Sequence, residues 1–293
     1  MQAPSKWIRP ALASKASVGE AFAASMRAAL EQIAANASGA AMGRDPEYLH
    51  QMRVGVRRLR SALRAFRKLL RRGRADAIAR PWRAMMPTLG DARDWDVFYQ
   101  SLAAGGLRRA ASKPRAAAQQ LACALVKSPR FHAALRNTSV WTRSRPWRRH
   151  ADPSEPLRQF ARPALHRLHQ GLCDAAEGID WQDAARRHRL RIRVKRMRYA
   201  CDFLAAVFPH RRARAFLEAL HGLQDILGEM SDIDVQRRLL GKLARSSENP
   251  AAVMATEAKL KTHARALAAL LRRAWAAFEA VRPYWKRREA ARG

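Results

Sequence analysis

Two short motifs occur twice in this chain, with the same separation each time. HQMRVGVRRLR begins at His50, and a similar segment, HRLRIRVKRMR, begins at His188. LGDARDWDV begins at Leu89, and LGEMSDIDV begins at Leu227. Both separations are 138 residues. Because two independent motifs share one separation, we interpret the chain as two copies of one structural unit.

Helix-forming residues dominate the sequence, and no segment shows the alternation of β-branched and polar residues that is typical of a strand. Hydrophobic residues make up 48% of the 293 residues, which is enough for a sizeable buried core. We therefore predict an all-α fold built from two copies of one helical unit. The predicted helices lie near residues 13–36, 45–72, 75–102, 113–127, 156–178, 181–208, 211–243 and 250–279.

Proline and polar residues interrupt the helical pattern over 137–156. Within one domain, 1–293, we therefore predict an N-terminal helical half at 10–140, a linker at 141–156 and a C-terminal helical half at 157–285. Duplicated units would pack naturally about a pseudo-two-fold axis.

Positive charge is the most unusual property of the composition. Lys and Arg number 57 against 24 Asp and Glu, which gives a formal net charge of +33. Such an excess attracts polyanions, namely nucleic acid, an anionic membrane surface or a polyphosphate. The three cysteines are widely spaced, and neither a signal peptide nor an apolar run of membrane-spanning length is evident. These features predict a cytoplasmic protein without a membrane span.

The positive charge is concentrated on one face of the helix that begins near residue 45. At about 100° per residue, one face carries basic residues only, and the neighbouring face is apolar and must be buried. The basic residues of this first stripe are His50, Arg53, Arg57, Arg60, Arg64, Arg67 and Arg71. The apolar residues are Met52, Val56, Leu59, Leu63, Phe66 and Leu70.

The second copy repeats this pattern in a shorter form. Its second stripe consists of His188, Arg191, Lys195 and Arg198, and Asp202 takes the place of Arg64. A solvated charged face would normally interleave Glu with Arg, because like charges three or four residues apart repel each other. The first stripe contains no Glu, so we interpret both stripes as anion-binding. Arginine suits this role because its guanidinium makes paired contacts with phosphate oxygens.

Carboxylates also recur in both copies. Asp91, Asp94 and Asp96 in the first copy correspond to Glu229, Asp232 and Asp234 in the second. One interpretation is structural: Asp94, Asp96, Asp232 and Asp234 would pair with arginines and hold the basic helices in place. The alternative is a metal site built from His50 with Asp91 and Asp94, and from His188 with Glu229 and Asp232. Known catalytic and nucleotide-binding motifs are absent, so no catalytic residue, metal or cofactor is predicted.

These motifs, in this order, resemble those of the CHAD family, the conserved histidine α-helical domain; SPRFHAAL at 128–135 is also typical of it. The resemblance implies two four-helix bundles related by pseudo-two-fold symmetry, with basic helices that line a central channel or cleft. It implies binding of inorganic polyphosphate and localisation to polyphosphate granules, with polyhydroxyalkanoate granules and granule-associated proteins as further associations.

Carried over by position, the resemblance implies that the stripe residues from His50 to Arg64 and from His188 to Arg198 contact the ligand. Arg27, His166, Lys259 and His263 are weaker candidates. The resemblance favours a binding module over an enzyme. For such a module, nucleic acid would be only a polyanion that competes with polyphosphate. Two alternatives stay open: a nucleic-acid-binding protein and a metal-dependent phosphohydrolase.

Overall fold

The computed structural model describes residues 3–13, 15–103, 105–149, 152–245 and 249–286. Within these residues the fold is all-α, as predicted, and β structure is limited to one isolated bridge between Ser17 and Pro156. Short 3₁₀ turns follow α2, α5 and α7. The α-helices of the described residues are α1 (Val18–Met42), α2 (Pro46–Ala65), α3 (Arg74–Ser101), α4 (Gly106–Lys127), α5 (Pro129–Ser144), α6 (Leu157–Ala176), α7 (Ala184–Leu204), α8 (His210–Ala244) and α9 (Pro250–Glu279).

Helix α5 has no counterpart among the predicted helices, and its last residues occupy the start of the predicted linker. The Ser128 hydroxyl accepts a hydrogen bond from the N–H of Phe131 at 3.3 Å, and Pro129 fills the first helical position. Thr138, whose polarity favoured a linker, is buried and accepts a hydrogen bond from the Trp82 indole at 3.0 Å. Residues 141–144 of the predicted linker are therefore helical.

Helix α2 is shorter than predicted, and this shortens the first stripe. The N–H of Phe66 donates to the carbonyls of Ala62 and Arg64, and the side chain of Phe66 is fully buried. The chain then continues as a 3₁₀ turn that begins at Arg67. Arg67 and Arg71 therefore lie beyond α2, which corrects the prediction of one continuous basic face to residue 71.

The described residues form two compact units. Unit 1 holds those of Met1–Pro10, Phe22–Pro153 and Asp232–His263, and unit 2 holds those of Ala11–Ala21, Ser154–Ser231 and Ala264–Gly293. These units differ from the predicted halves, because residues 232–263 pack within unit 1. The duplication and the pseudo-two-fold relation stay predictions from the sequence.

Aromatic side chains form much of the core of unit 1. The ring of Phe22 lies 5.4 Å from that of Phe66 and 4.8 Å from that of Trp147, measured between centroids. Phe22 and Phe66 are fully buried. The end of α2 is therefore fixed against α1 and against the segment that follows α5.

Unit 2 has an aromatic core of its own. Phe216 of α8 lies 5.2 Å from Phe278 of α9 and 5.0 Å from Trp285, and His169 of α6 lies beside the same rings. This cluster joins α6, α8 and α9 to the segment that follows α9. Among the described helices of both units, none combines the length and the apolar composition that a membrane crossing requires.

Candidate anion-binding site

The first stripe is positioned by the start and the buried face of α2. Asp45 caps the helix, because its carboxylate accepts a hydrogen bond from the N–H of Glu47 at 2.8 Å, and Pro46 follows it. Met52, Val56 and Leu59 are fully buried on the apolar face. The stripe residues of α2 are His50, Arg53, Arg57 and Arg60, which are partly exposed, and Arg64, which is exposed.

A close contact with α1 orients the stripe. A Cβ atom on Gly55 would lie 2.8 Å from Cγ1 of Ile33 and 3.2 Å from the carbonyl oxygen of Ala29. Only glycine allows α2 to approach α1 so closely at this position. On the helical wheel the stripe residues lie about 140–220° from Gly55. The basic face of α2 is therefore opposite the side that packs on α1.

Two arginines of α3 add to the positive charge along the first stripe. Arg93 acts electrostatically on His50, and Arg83 acts on Arg60. A Cβ on Gly90 would lie 3.7 Å from Nη2 of Arg53, so this guanidinium reaches the α3 backbone. Residues later in α2 lie near residues earlier in α3, so the two helices run antiparallel. The stripe therefore lies along the groove between them.

His50 is a partly buried basic group of the stripe. Its pKa is lowered from 6.5 to about 4, first by burial and then by the positive charges of Arg93, Arg57 and Arg53, against a raising effect of Glu47. A histidine with its ordinary pKa becomes positively charged below about pH 6.5, and His50 of the ligand-free protein does not. Burial and the neighbouring arginines keep the ring neutral until the pH approaches about 4.

Arg60 shows the same crowding of positive charge. Its pKa is lowered by burial, then by the charges of Arg83 and Arg64. Arg83 donates a hydrogen bond to Asp76 at 3.0 Å, so part of its charge is balanced at the surface. The partial burial of like charges in one groove is unfavourable without a counter-ion, which makes the groove a good place for an anion.

The second stripe lies on α7 in unit 2. His188 is exposed, whereas Arg191 and Lys195 are partly buried. Arg198 is 20% exposed, and its guanidinium lies 3.7 Å from the carboxylate of Asp202. Arg198 also lies over the ring of Tyr199, 4.8 Å from its centroid. Asp202 therefore neutralises part of the charge at this end of the stripe.

Not every arginine of α7 belongs to a binding surface. Arg187 is buried, and its Nη1 donates to the carbonyl oxygens of Trp181 at 2.9 Å and of Gln182 at 2.7 Å. Asp183 caps α7 by accepting from the N–H groups of Ala185 and Arg186. These bonds fix the turn that leads into the helix.

Asp91, Asp94 and Asp232 are three of the recurring carboxylates, and they lie in unit 1. Asp94 Oδ2 accepts a hydrogen bond from Arg238 of α8 at 3.2 Å. Burial raises the pKa of Asp94, Arg53 and Arg238 lower it, and the nearby Asp91 and Asp232 raise it further, with a net upward shift. Acidic residues from both sequence motifs, Asp94 and Asp232, therefore lie close together, and Asp94 also lies near Arg53.

Asp96 has a structural position. Its side chain is buried, and Oδ1 accepts hydrogen bonds from Arg115 Nε at 2.8 Å and from Gln119 at 2.6 Å. The Arg115 guanidinium also lies 4.6 Å from the ring centroid of Tyr99. Asp234 is one of the charges that raise the pKa of Arg237, after the hydrogen bond to Glu257.

The residues proposed as metal ligands are not assembled into a metal site. Among the residues that the structure describes, no group of three or more His, Cys, Asp or Glu side chains is placed to hold a metal ion. His50 has arginines as its main charged neighbours. The hypothesis of paired His and carboxylate ligands therefore has no geometric support in this part of the chain.

The four weaker candidates lie on helices other than α2 and α7. Arg27 is exposed on α1, His166 on α6, and Lys259 and His263 on α9. The residues missed by the sequence interpretation are Arg83 and Arg93. Arg93 had a usable signal, because it stands inside the repeated LGDARDWDV motif, but its counterpart in the second copy is Ser231.

Residues 24–241 match the family model of the CHAD domain. The chain belongs to the CHAD family. This confirms the resemblance seen in the sequence motifs. No curated protein matches this CHAD protein in sequence.

Two solved structures are similar to this CHAD protein. The crystal structure of the CHAD domain from the plant Ricinus communis shares 32% sequence identity with it and a TM-score of 0.84, over 96% of this chain and 98% of that one. PptA from Streptomyces chartreusis shares 16% identity and a TM-score of 0.69, over 89% of this chain and 100% of that one. At such low identity, the second likeness shows the fold alone.

Proposed function

We propose that this CHAD protein binds inorganic polyphosphate through its two basic stripes. The observation that carries the proposal is the groove between α2 and α3, where the stripe of α2 is reinforced by Arg83 and Arg93. From His50 to Arg64 the stripe extends about 21 Å along the helix. The ligand-contacting residues would be His50, Arg53, Arg57, Arg60, Arg64, His188, Arg191, Lys195 and Arg198.

A long row of arginines fits a chain of phosphates better than a single phosphate. Successive guanidinium groups one turn apart can each contact phosphate oxygens in pairs and keep their charge at any physiological pH. A compact anion would satisfy two or three of them and leave the rest crowded. Membership of the CHAD family supports polyphosphate as the anion, since the resemblance associates this family with it.

We further infer that binding holds the protein at polyphosphate granules in the cytoplasm, and that it does not break down the polymer. Contacts with other granule proteins, or with polyhydroxyalkanoate granules, would be additional to this direct binding. No cofactor is needed for such a role. Nucleic acid shares the charge pattern of polyphosphate, and it enters the test as a competitor.

Substitution of one residue in each stripe tests the proposal. Arg57→Glu with Lys195→Glu should weaken binding of long-chain polyphosphate at least a hundredfold, because two attractive contacts become repulsive. The matched control is Arg211→Glu with Arg212→Glu, which makes the same charge change at exposed positions of α8. It should weaken polyphosphate binding only a few-fold. Circular dichroism would verify the fold, and Arg57→Gln with Lys195→Gln serves as a milder pair.

The measurement is a titration with labelled polyphosphate at several salt concentrations. For six or more phosphate contacts, by analogy with nucleic acids, affinity should fall roughly 10³-fold between 50 and 200 mM salt. Duplex DNA should displace polyphosphate poorly. Wild-type affinity in the folded double-Glu variant would refute the stripe assignment, and metal-dependent release of phosphate that EDTA stops would favour the hydrolase alternative.

A further inference from the structure

Helix α7 carries another row of arginines, on the other flank of its buried face. These residues lie within about 80° of one another on the helical wheel, and the second stripe lies on the opposite flank. We call this row the third stripe; it consists of Arg186, Arg189, Arg193 and Arg196. Helix α7 therefore has two separate basic faces with a buried seam between them.

The third stripe is open to solvent over most of its length. Arg186, Arg189 and Arg193 are exposed. Arg186 is engaged at the N-terminal end, where it lies 3.5 Å from Asp183 and donates to the carbonyl oxygen of Gly178. Within the described residues, Arg189 and Arg193 form no ion pair. The middle of the stripe is thus available to an external anion.

A glycine of α6 extends this surface onto a second helix. A Cβ built on Gly171 would lie 2.7 Å from Nη1 of Arg193, so the guanidinium rests where any other residue would place a side chain. Arg167, one turn earlier on α6, is exposed on the same flank. Asp174, one turn later, forms no ion pair with Arg189 or Arg193 in the described residues. The surface therefore keeps a positive excess across both helices.

The equivalent face in the first copy has a different use. The position that corresponds to Arg193 is Gly55, which packs against Ile33 of α1. The position that corresponds to Arg189 is Gln51, which accepts a hydrogen bond from Gln32 of α1 at 2.9 Å. Arg58, which corresponds to Arg196, is the one arginine of this face in the first motif. The repeated motif therefore does not require Arg189 and Arg193, and these two arginines need a separate explanation.

We propose that the third stripe, together with Arg167, is a second polyanion-binding surface that lets one molecule bridge two polyphosphate chains or two segments of one chain. This proposal rests on the proposed function of the first and second stripes. The third stripe contains no aromatic residue, so it offers no stacking platform for the bases of single-stranded nucleic acid. Bridging by a two-faced binder would draw polyphosphate into a condensed phase by raising the local concentration of sites.

A sandwich assay tests bridging. The protein is captured on surface-attached long-chain polyphosphate, and a second, fluorescent polyphosphate is then added. We expect the parent to retain the second chain, and Arg189→Glu with Arg193→Glu to retain about tenfold less at equal protein loading. The matched control, Arg272→Glu with Arg273→Glu at exposed positions of α9, should retain the second chain like the parent.

The two steps of this assay separate the two proposals. Failure of the parent to load onto the first chain would refute the proposed function itself. Normal loading with equal retention of the second chain by the third-stripe variant would overturn the bridging proposal alone. Retention of duplex DNA in place of polyphosphate at the second step would also overturn it, since the bound polyanion would then be nucleic acid. When protein is mixed with long polyphosphate, light scattering should be as strong for the α9 control as for the parent, and weaker for the third-stripe variant.

Discussion

Proton uptake by His50 should accompany polyphosphate binding. In the free protein, burial and three arginines hold its pKa at about 4. A bound anion would offset the arginine charges and return the pKa towards 6.5. If it returns fully, linkage makes binding about 30-fold tighter at pH 5 than at pH 7.5. Because the ring is partly exposed, solvent screening reduces this effect, and we expect a change of roughly tenfold.

Calorimetric titration in two buffers of different ionisation enthalpy measures the proton uptake directly. At pH 5.5, the parent should take up about 0.7 proton more per protein molecule saturated with polyphosphate than the His50→Asn variant. His188→Asn is the matched control, because His188 is exposed on the second stripe and its removal should leave the uptake by His50 intact. Equal uptake by the parent and His50→Asn would refute the link between burial, arginine crowding and anion binding.

The same pKa shift affects stability with a definite sign. The unfolded chain protonates His50 near pH 6.5, whereas the folded protein resists protonation until about pH 4. The neutral ring thus contributes stability at pH 7 that is lost as the pH falls through this window. After allowance for solvent screening, the loss by pH 5 is about 1 kcal/mol. It should be absent in His50→Asn, as measured by denaturant unfolding at each pH.

Two further predictions concern stability. Gly55→Ala should destabilise the protein by about 1–2 kcal/mol, because the new methyl group meets the α1 backbone 3.2 Å away at Ala29; Gly228→Ala, with no atom within 4 Å, should instead stabilise it by about 0.5–1 kcal/mol. If both changes have the same effect in urea unfolding, the close packing of α1 on α2 is not the cause. Asp96→Ala should cost about 2–3 kcal/mol because it removes the buried partner of Arg115, and an unchanged unfolding midpoint would contradict this.

The sequence was most informative where periodicity and charge coincided. Met52, Val56 and Leu59 identified the buried face of α2, and the arginines beside them identified the basic face. Helix α5 could not be found in this way, because the polar Thr138 is buried by a hydrogen bond to Trp82, a residue 56 positions away along the chain. A local sequence pattern cannot reveal hydrogen-bond partners that are so far apart along the chain.

The sequence predicted the row of arginines on α2, but it did not predict the charged residues that lie around this row. The spacing from Arg53 to Arg64 is a property of one helix, so the sequence contains it. The charges that Arg83 and Arg93 add depend on how α3 is aligned with α2. The low pKa of His50 depends on the same alignment together with burial, and neither follows from residue spacing.

The hydrogen bonds of Arg187 bear on how mutational data for α7 should be interpreted. This side chain holds the loop before α7 in place through hydrogen bonds to two backbone carbonyl oxygens. In the sequence it cannot be distinguished from the neighbouring arginines. An alanine scan that scored only ligand retention would rank Arg187 among the most important contacts, when its removal acts by loosening the entry to α7. Melting temperatures recorded alongside the scan would separate this one arginine from the others.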